Sequence, residues 1–212
     1  MKSCRFFLFL IISLSISLAQ DLKPIQLPPP QTEIGKPLMQ ALKLRQSSRS
    51  YDSKPLPLQE LSNLLWAADG INRPESGKRT APSAMNWQEI DIYVMIQNGT
   101  YTYDAKSNSL LLVAKKDLRE ATGKQNFVKE APLNLVYIAN EKRITRANEE
   151  DKIRWSSAAV GFIAQNVYLY CASQGLASVV RGMVDRETLT KELKLRPEQK
   201  IILAQTVGYP KQ

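Results

Sequence analysis

Arg45-Gln46-Ser47-Ser48-Arg49 places two guanidiniums and two hydroxyls within five residues. This donor set suits a phosphate, because the planar fork of arginine matches phosphate oxygens and serine hydroxyls add hydrogen bonds. If helical geometry continues through the stretch, Arg45 and Arg49 share one face at i,i+4, where like charges repel unless an anion sits between them. The alternative is an ordinary basic helix end, complementing the terminal carbonyls. Other chemistries are excluded by composition. The chain has no histidine, so zinc sites, histidine-based triads and imidazole general bases are ruled out.

The N-terminus bears on compartment. Lys2 and Arg5 precede an apolar run from Phe6 to Ile16, and Ser17-Leu18-Ala19 reads as a small-x-small cleavage site ahead of Gln20. Residues 1–19 are therefore expected to be a signal peptide, with a signal anchor as the alternative, because an almost unbroken apolar run of 11 residues is short for a bilayer span. Cys4 precedes the apolar run and is badly placed for lipoprotein processing. The expected product is exported, periplasmic or secreted, with no stable membrane anchor after cleavage. It carries 27 Lys and Arg against 20 Asp and Glu, a formal +7, without a basic stripe. That balance argues against nucleic acid as a partner. Only Cys171 remains, which rules out an internal disulfide and suggests a buried thiol.

Several elements are needed to position the arginine motif. Residues 20–37 carry Pro24, Pro28, Pro29, Pro30 and Pro37 and form an expected extended arm, wrapping a partner or disordered. Residues 38–212 form the expected single domain. Leu38, Met39, Leu42 and Leu44 predict a short helix that leads into the arginines, with Pro37 in its first turn. Leu58, Leu61, Leu64 and Leu65 predict a second, stopped by Gly70. Residues 71–88, with Pro74, Gly77 and Pro82, read as a long loop.

Ile90, Ile92, Val94 and Ile96 alternate with Asp91, Tyr93, Met95 and Gln97, predicting a strand with one strongly apolar face. Asn98-Gly99 is a type I′ hairpin signal returning through Thr100–Tyr103. Asn98-Gly99-Thr100 also matches a glycosylation acceptor, but the turn explains it without a eukaryotic secretory pathway. Further strands are expected at 110–113, 133–139, 179–180 and 201–207, with a helical turn at 118–122 and a short helix at 187–195. Residues 149–174 contain no proline and one glycine and predict a long central helix ended by Gly175. Its small residues Ala158, Gly161 and Ala164 allow close approach of another helix, in the core or across a symmetric dimer. Gln165 and Asn166 sit in its apolar stretch, where buried amides need partners. Trp66 and Trp155 are expected in the core. The irregular alternation indicates an α+β fold, a mainly antiparallel sheet flanked by helices with the long helix as packing axis.

In order along the chain, four segments resemble the nitroreductase family of flavoproteins, specifically the thiazole/oxazole-forming dehydrogenase branch. They are Arg45 to Tyr51, Leu58 to Ile71, Arg79-Thr80-Ala81-Pro82-Ser83-Ala84, and Gly175 to Gly182 with the closing Val207-Gly208-Tyr209-Pro210. The resemblance implies a nitroreductase-like homodimer binding FMN at sites shared between chains. By position, Arg45, Gln46, Ser47 and Arg49 match residues that hold the ribityl phosphate. Pro82, Ser83 and Ala84 match the loop beside the isoalloxazine, and Asn86 falls near a position where the family often has a ring-contacting Asn. Val179, Val180, Arg181 and Gly182 match the segment along the pyrimidine side, where a backbone N–H meets N5.

The sequence also departs from the family pattern. Met85 stands where the branch usually has Gly, Arg181 where some relatives have an acid, and the chain ends without the longer basic tail, for which Lys211 is a substitute. The implied activity is FMN-dependent oxidoreduction of an unidentified small molecule, with donor and acceptor alternating in one pocket lined by Trp87, Tyr51 or residues 71–78. No catalytic side chain is assigned, since flavin exchanges hydride itself. Reduced nicotinamides are cytoplasmic, so an exported enzyme needs another donor, oxidises its own substrate, or uses flavin otherwise. The alternative is a catalytically silent flavin carrier whose ring-side opening is closed by Met85 and Arg181.

Overall fold

Strand β4 (Ile90–Ile96) shows how the sheet is built. Ile90, Ile92 and Val94 enter one apolar cluster while Tyr93 and Met95 enter a second on the opposite face. The expected single apolar face is corrected to two, because helices cover both sides. A computed structural model describes residues 24–211; the expected leader, Cys4 and Gln212 lie outside the described residues.

In chain order the elements are β1 (Ile25–Gln26), α1 (Leu38–Leu44), α2 (Leu58–Asp69), β2 (Ile71–Arg73), β3 (Lys78–Arg79), β4, β5 (Gly99–Asp104), β6 (Ser109–Ala114), α3 (Phe127–Glu130), β7 (Leu133–Asn140), α4 (Glu149–Gln174), β8 (Ala177–Arg181), α5 (Arg186–Glu192) and β9 (Gln199–Gly208). Seven strands form one antiparallel sheet in the order β1-β6-β5-β4-β7-β9-β8, and β2 pairs with β3 in a small separate ribbon. That ribbon corrects the long-loop expectation for residues 71–88. One face of the sheet packs against α2 and α4 through Leu61, Leu64, Leu65, Val160, Ile163 and Val167; the other packs against Leu189 and Leu193 of α5 and its C-terminal end. The mixed, mainly antiparallel architecture with one long helix is the expected one.

The hairpin between β4 and β5 forms one residue earlier than the Asn-Gly rule places it. Ile96 pairs with Gly99, so Gln97 and Asn98 make the turn, and neither has positive φ, which a type I′ turn requires. Helix α4 is specified at both ends. The Asn148 side chain accepts from Asp151 N–H at 2.8 Å, Glu149, Glu150 and Asp151 complement the macrodipole, and Gly175 closes the helix at φ 75. Its expected core residues sort differently from the sequence reading. Trp155 is exposed, Trp66 half-buried and Gln165 exposed, while Asn166 donates to Ala68 O at 3.4 Å. Cys171 is buried, as expected, and burial raises its thiol pKa well above the usual range.

The Pro-rich arm, as far as it is described, lies along its own chain. β1 pairs with β6, Leu27 is buried, Gln31 N–H donates to Asn63 Oδ1 at 2.8 Å, and Lys36 N–H to Ser173 Oγ at 2.7 Å. Proline fits this edge position because an extended segment at a sheet margin needs few backbone donors.

Candidate active site

Helix α1 stops at Leu44. Arg45 has φ −59 and ψ 122, and residues 45–50 are extended. Arg45 and Arg49 therefore do not share a helix face, and the repulsion argument from i,i+4 spacing falls. The charge argument survives in another form. Among the described residues neither arginine pairs with a carboxylate, so two cations stand within five residues with no counter-ion from their own chain.

Tyr168 on α4 gathers this segment. The Arg45 guanidinium lies over its ring at 5.4 Å, and Ser47 Oγ is 3.0 Å from its hydroxyl. The same hydroxyl accepts the Val180 N–H at 2.8 Å. Ser48 N–H donates to Ser178 O at 2.9 Å, so the arginine segment runs beside β8, the last strand of the sheet. Beyond the end of β8 at Arg181 comes the N–H of Gly182, in a bend. Among the described residues it donates to nothing.

The C-terminal segment closes the arrangement. Asp52 N–H donates to Tyr209 O at 2.9 Å, Tyr51 bridges Pro210, and Lys211 N–H reaches Ser50 O at 3.4 Å. This places Lys211 close to Arg49. A cavity of about 220 Å³ beneath is lined by Gln46, Ser48, Tyr168 and Leu176, which is below the roughly 300–1,000 Å³ of most small-molecule pockets.

Three residues expected near the pocket belong to the interior. Val179 packs with Tyr51 and Ala177. Tyr51 is buried, its hydroxyl donates to Ser48 O at 2.5 Å, and desolvation raises its pKa. Arg181 is 5 % exposed and donates to Thr122 O, Thr122 Oγ1, Asn134 Oδ1 and Thr206 Oγ1. Burial lowers its pKa to about 10. Its charge is therefore held inside the fold by neutral acceptors and does not project from the edge of β8.

The loop Pro82–Asn86 is built on an unusual backbone. Met85, Asn86 and Gln88 have φ of 51, 57 and 49, the left-handed region that Asn tolerates and Met does not favour. Met85 thus adopts the conformation for which its family position usually has Gly, with its side chain 78 % exposed. Ser83 Oγ accepts from Gln88 N–H at 3.0 Å, Asn86 Oδ1 accepts from Gln88 Nε2 at 3.1 Å, and Arg79 Nε donates to Gln88 Oε1 at 2.9 Å. Trp87 is half-buried and donates to Thr145 Oγ1 at 3.3 Å. No hydrogen bond among the described residues joins Pro82, Ser83, Ala84 or Asn86 to Arg45–Arg49 within one chain.

Sequence reasoning missed Tyr168, which sits in a helix whose apolar spacing hides a polar role. It also missed Asp69, whose carboxylate meets Arg79 Nη1 at 2.7 Å. An acid at the last position of α2, opposed by the helix dipole, was the available signal.

A mainly antiparallel sheet flanked by helices, with one long helix, defines an α+β fold. The nitroreductase family profile matches residues 42–209, and the chain belongs to that family. A nitroreductase homologue of Methanocaldococcus jannaschii is 36 % identical over 180 residues, covering 77 % of this chain and 90 % of the relative. A nitroreductase-family crystal structure from Ralstonia eutropha superposes with a TM-score of 0.85 at 46 % identity, covering 89 % of this chain and 90 % of that one. At the level of fold alone, an FMN complex of a Desulfovibrio desulfuricans nitroreductase is similar, with TM-score 0.61, 21 % identity and 84 % and 88 % coverage. So is the Escherichia coli microcin synthetase complex McbBCD with truncated pro-MccB17 bound, with TM-score 0.69, 17 % identity and 98 % and 85 % coverage.

Proposed function

We propose that this nitroreductase-family oxidoreductase is an exported FMN enzyme whose flavin sites are shared between two copies of the chain. The carrying observation is the convergence at Tyr168 of Arg45, the Ser47 hydroxyl and the edge of β8, with Arg49 four residues further along the same segment. Arg45, Gln46, Ser47 and Arg49, with Lys211 alongside, would hold the phosphate, and the free Gly182 N–H would meet the ring. When bound, flavin supplies the hydride exchange, so the chain needs only to bind, orient and exclude water.

Sharing between copies is supported by what one chain lacks and by what it exposes. The 220 Å³ cavity beside this segment is lined by Gln46 and Ser48 and by neither arginine, and among the described residues no hydrogen bond joins Pro82–Asn86 to Arg45–Arg49. Leu38, Met39, Leu42 and Leu44 of α1 and Trp155 and Phe162 of α4 are exposed, and a Cβ added at Gly161 would meet nothing within 4 Å. Apolar area of this extent is the expected face for a second copy.

The carrier reading required Met85 and Arg181 to close the ring-side opening. Met85 points to solvent and Arg181 is tucked between strands, which favours an open site and turnover on a small substrate. Export rests on residues 1–19 alone.

The test is the visible spectrum of purified protein before and after soaking with FMN, wild type against Arg45→Glu. Wild type is expected to be yellow; the variant is expected to fold but lose its cofactor, because a carboxylate faces the phosphate. Equal retention by the variant refutes the phosphate assignment. A colourless wild type that takes up no FMN refutes the whole reading.

A further inference from the structure

The loop that the preceding reading places beside the flavin is tied to the fold at three points: Trp87 donates to Thr145 Oγ1, Arg143 Nη1 donates to Gln88 O at 2.9 Å, and Arg79 holds the Gln88 side chain. Arg79 spends its guanidinium on two partners on opposite sides: Nη1 meets Asp69 Oδ2 at 2.7 Å and Asp69 O at 3.2 Å, while Nε meets Gln88 Oε1 at 2.9 Å. Gln88 continues the chain of bonds to both ends of the left-handed turn, donating its N–H to Ser83 Oγ and its Nε2–H to Asn86 Oδ1 and Gly77 O. Three L-residues in four positions with positive φ persist only where surrounding bonds over-determine them.

We propose that Arg79 is a positioning residue for this loop, and that the charge of Asp69 sets whether the clamp is engaged. The inference rests on the preceding reading only for the loop's contact with flavin; the clamp itself is a property of the chain.

Asp69 is suited to this role by its surroundings. It is 5 % exposed at the C-terminal end of α2, where burial raises its pKa and the Arg79 guanidinium lowers it, leaving it at about 7. Glu89 and Asp91, around the start of β4, face it and oppose its ionisation; Tyr103 of β5 and Asp104 lie in the same field, and Arg143 is taken by Asp91 at 2.8 Å. Glu89 is itself fully buried with both carboxylate oxygens unpartnered, and burial raises its pKa. Above the Asp69 midpoint the carboxylate is charged and holds Arg79 by a charge-assisted bond. Below it the neutral carboxyl holds Arg79 more weakly, and the Gln88 side chain is held less firmly while its carbonyl stays on Arg143. The chain has no histidine; Glu89 is the other buried acid of this cluster, and a titration of its own would survive in Asp69→Asn.

Trp87, inside the clamped loop, reports the state without any cofactor. The experiment labels the full chain with 5-fluorotryptophan, assigns the Trp87 fluorine signal with Trp87→Phe, and follows it from pH 5.5 to 8.5 without flavin. Alongside, FMN release is timed for wild type and Asp69→Asn at pH 6 and pH 8. The Trp87 signal of wild type is expected to titrate with a midpoint near 7 and to be flat in Asp69→Asn and in Gln88→Met, which keeps the ion pair but breaks its link to the loop. At pH 8 Asp69→Asn is expected to release FMN roughly three- to tenfold faster than wild type, and at pH 6 at a similar rate; this ratio cancels titration of the FMN phosphate. A flat wild-type signal, or a titration that survives in either variant, overturns the clamp. A titration that behaves as expected while both proteins release FMN equally at pH 8 leaves the clamp standing and refutes instead the placement of this loop at the flavin.

Discussion

Tyr168→Phe tests the junction on which the site depends, because it removes one oxygen and leaves the ring. The lost hydroxyl accepts Val180 N–H at 2.8 Å and lies 3.0 Å from Ser47 Oγ. Ser47 is exposed and its hydroxyl can turn to water, so that half costs little. Val180 is half-buried, and a donor left unsatisfied there costs about 1–2 kcal/mol. The Arg45 contact with the ring at 5.4 Å is retained, about 0.5–1 kcal/mol. Urea unfolding of the flavin-free protein at fixed protomer concentration is therefore expected to show a loss of about 1–2 kcal/mol. FMN affinity, read by fluorescence quenching, is expected to fall about three- to tenfold as Ser47 and β8 lose their common anchor. Tyr168→Ala is expected to lose more on both counts. In a cycle with Ser47→Ala, the two losses of FMN affinity should be less than additive, since both substitutions break the Ser47–Tyr168 contact. A Tyr168→Phe protein as stable as wild type, with affinity within twofold, would refute the reasoning.

Met85→Gly is expected to stabilise the protein by about 0.5–1 kcal/mol: it relieves a left-handed L-residue worth about 1–2 kcal/mol, offset in part by glycine's extra chain entropy. Because Met85 is 78 % exposed, little packing is lost, and calorimetry should show a rise of about 1–4 °C; a fall means the strain is not there. Phe162→Asp places a charge on the exposed face of α4 and is expected to give a monomer in sedimentation equilibrium that no longer retains FMN. A monomer with full flavin occupancy refutes the shared site.

Helices α2 and α4 and strands β4 to β7 were legible because each carries a local rule to completion. Leucines at helical spacing are followed by Gly70, an acidic first turn is matched by Gly175 at the far end, and alternating isoleucines mark β4. The errors arise where a neighbouring element decides. Tyr93 and Met95 looked like a polar-leaning face until α5 covered them, and the signal at Asn98-Gly99 named the hairpin but not its register, which the β4–β5 ladder sets. Residues 71–88 read as a loop because β2 and β3 are too short to show periodicity. The arm was read as wrapping a partner or disordered because proline reports what a segment cannot form, not what it lies against.

The site was legible in its residue types and illegible in its geometry, for a physical reason. Arg45 and Ser47 advertise a phosphate by chemistry, but the helix that would align Arg45 with Arg49 stops at Leu44, and Arg45 and Ser47 are gathered instead by Tyr168, 121 residues from Ser47. Arg181 shows the converse: its segment borders the site while its guanidinium faces Thr122 and Asn134, since alternate side chains of an edge strand point to opposite faces. Met85 holds a left-handed backbone conformation that glycine would adopt without strain. The strain this leaves in the turn is what makes a clamp from Asp69 through Arg79 and Gln88 necessary. A glycine there would hold the same backbone without help, so Met85→Gly should also lessen the dependence of Trp87 on the charge of Asp69.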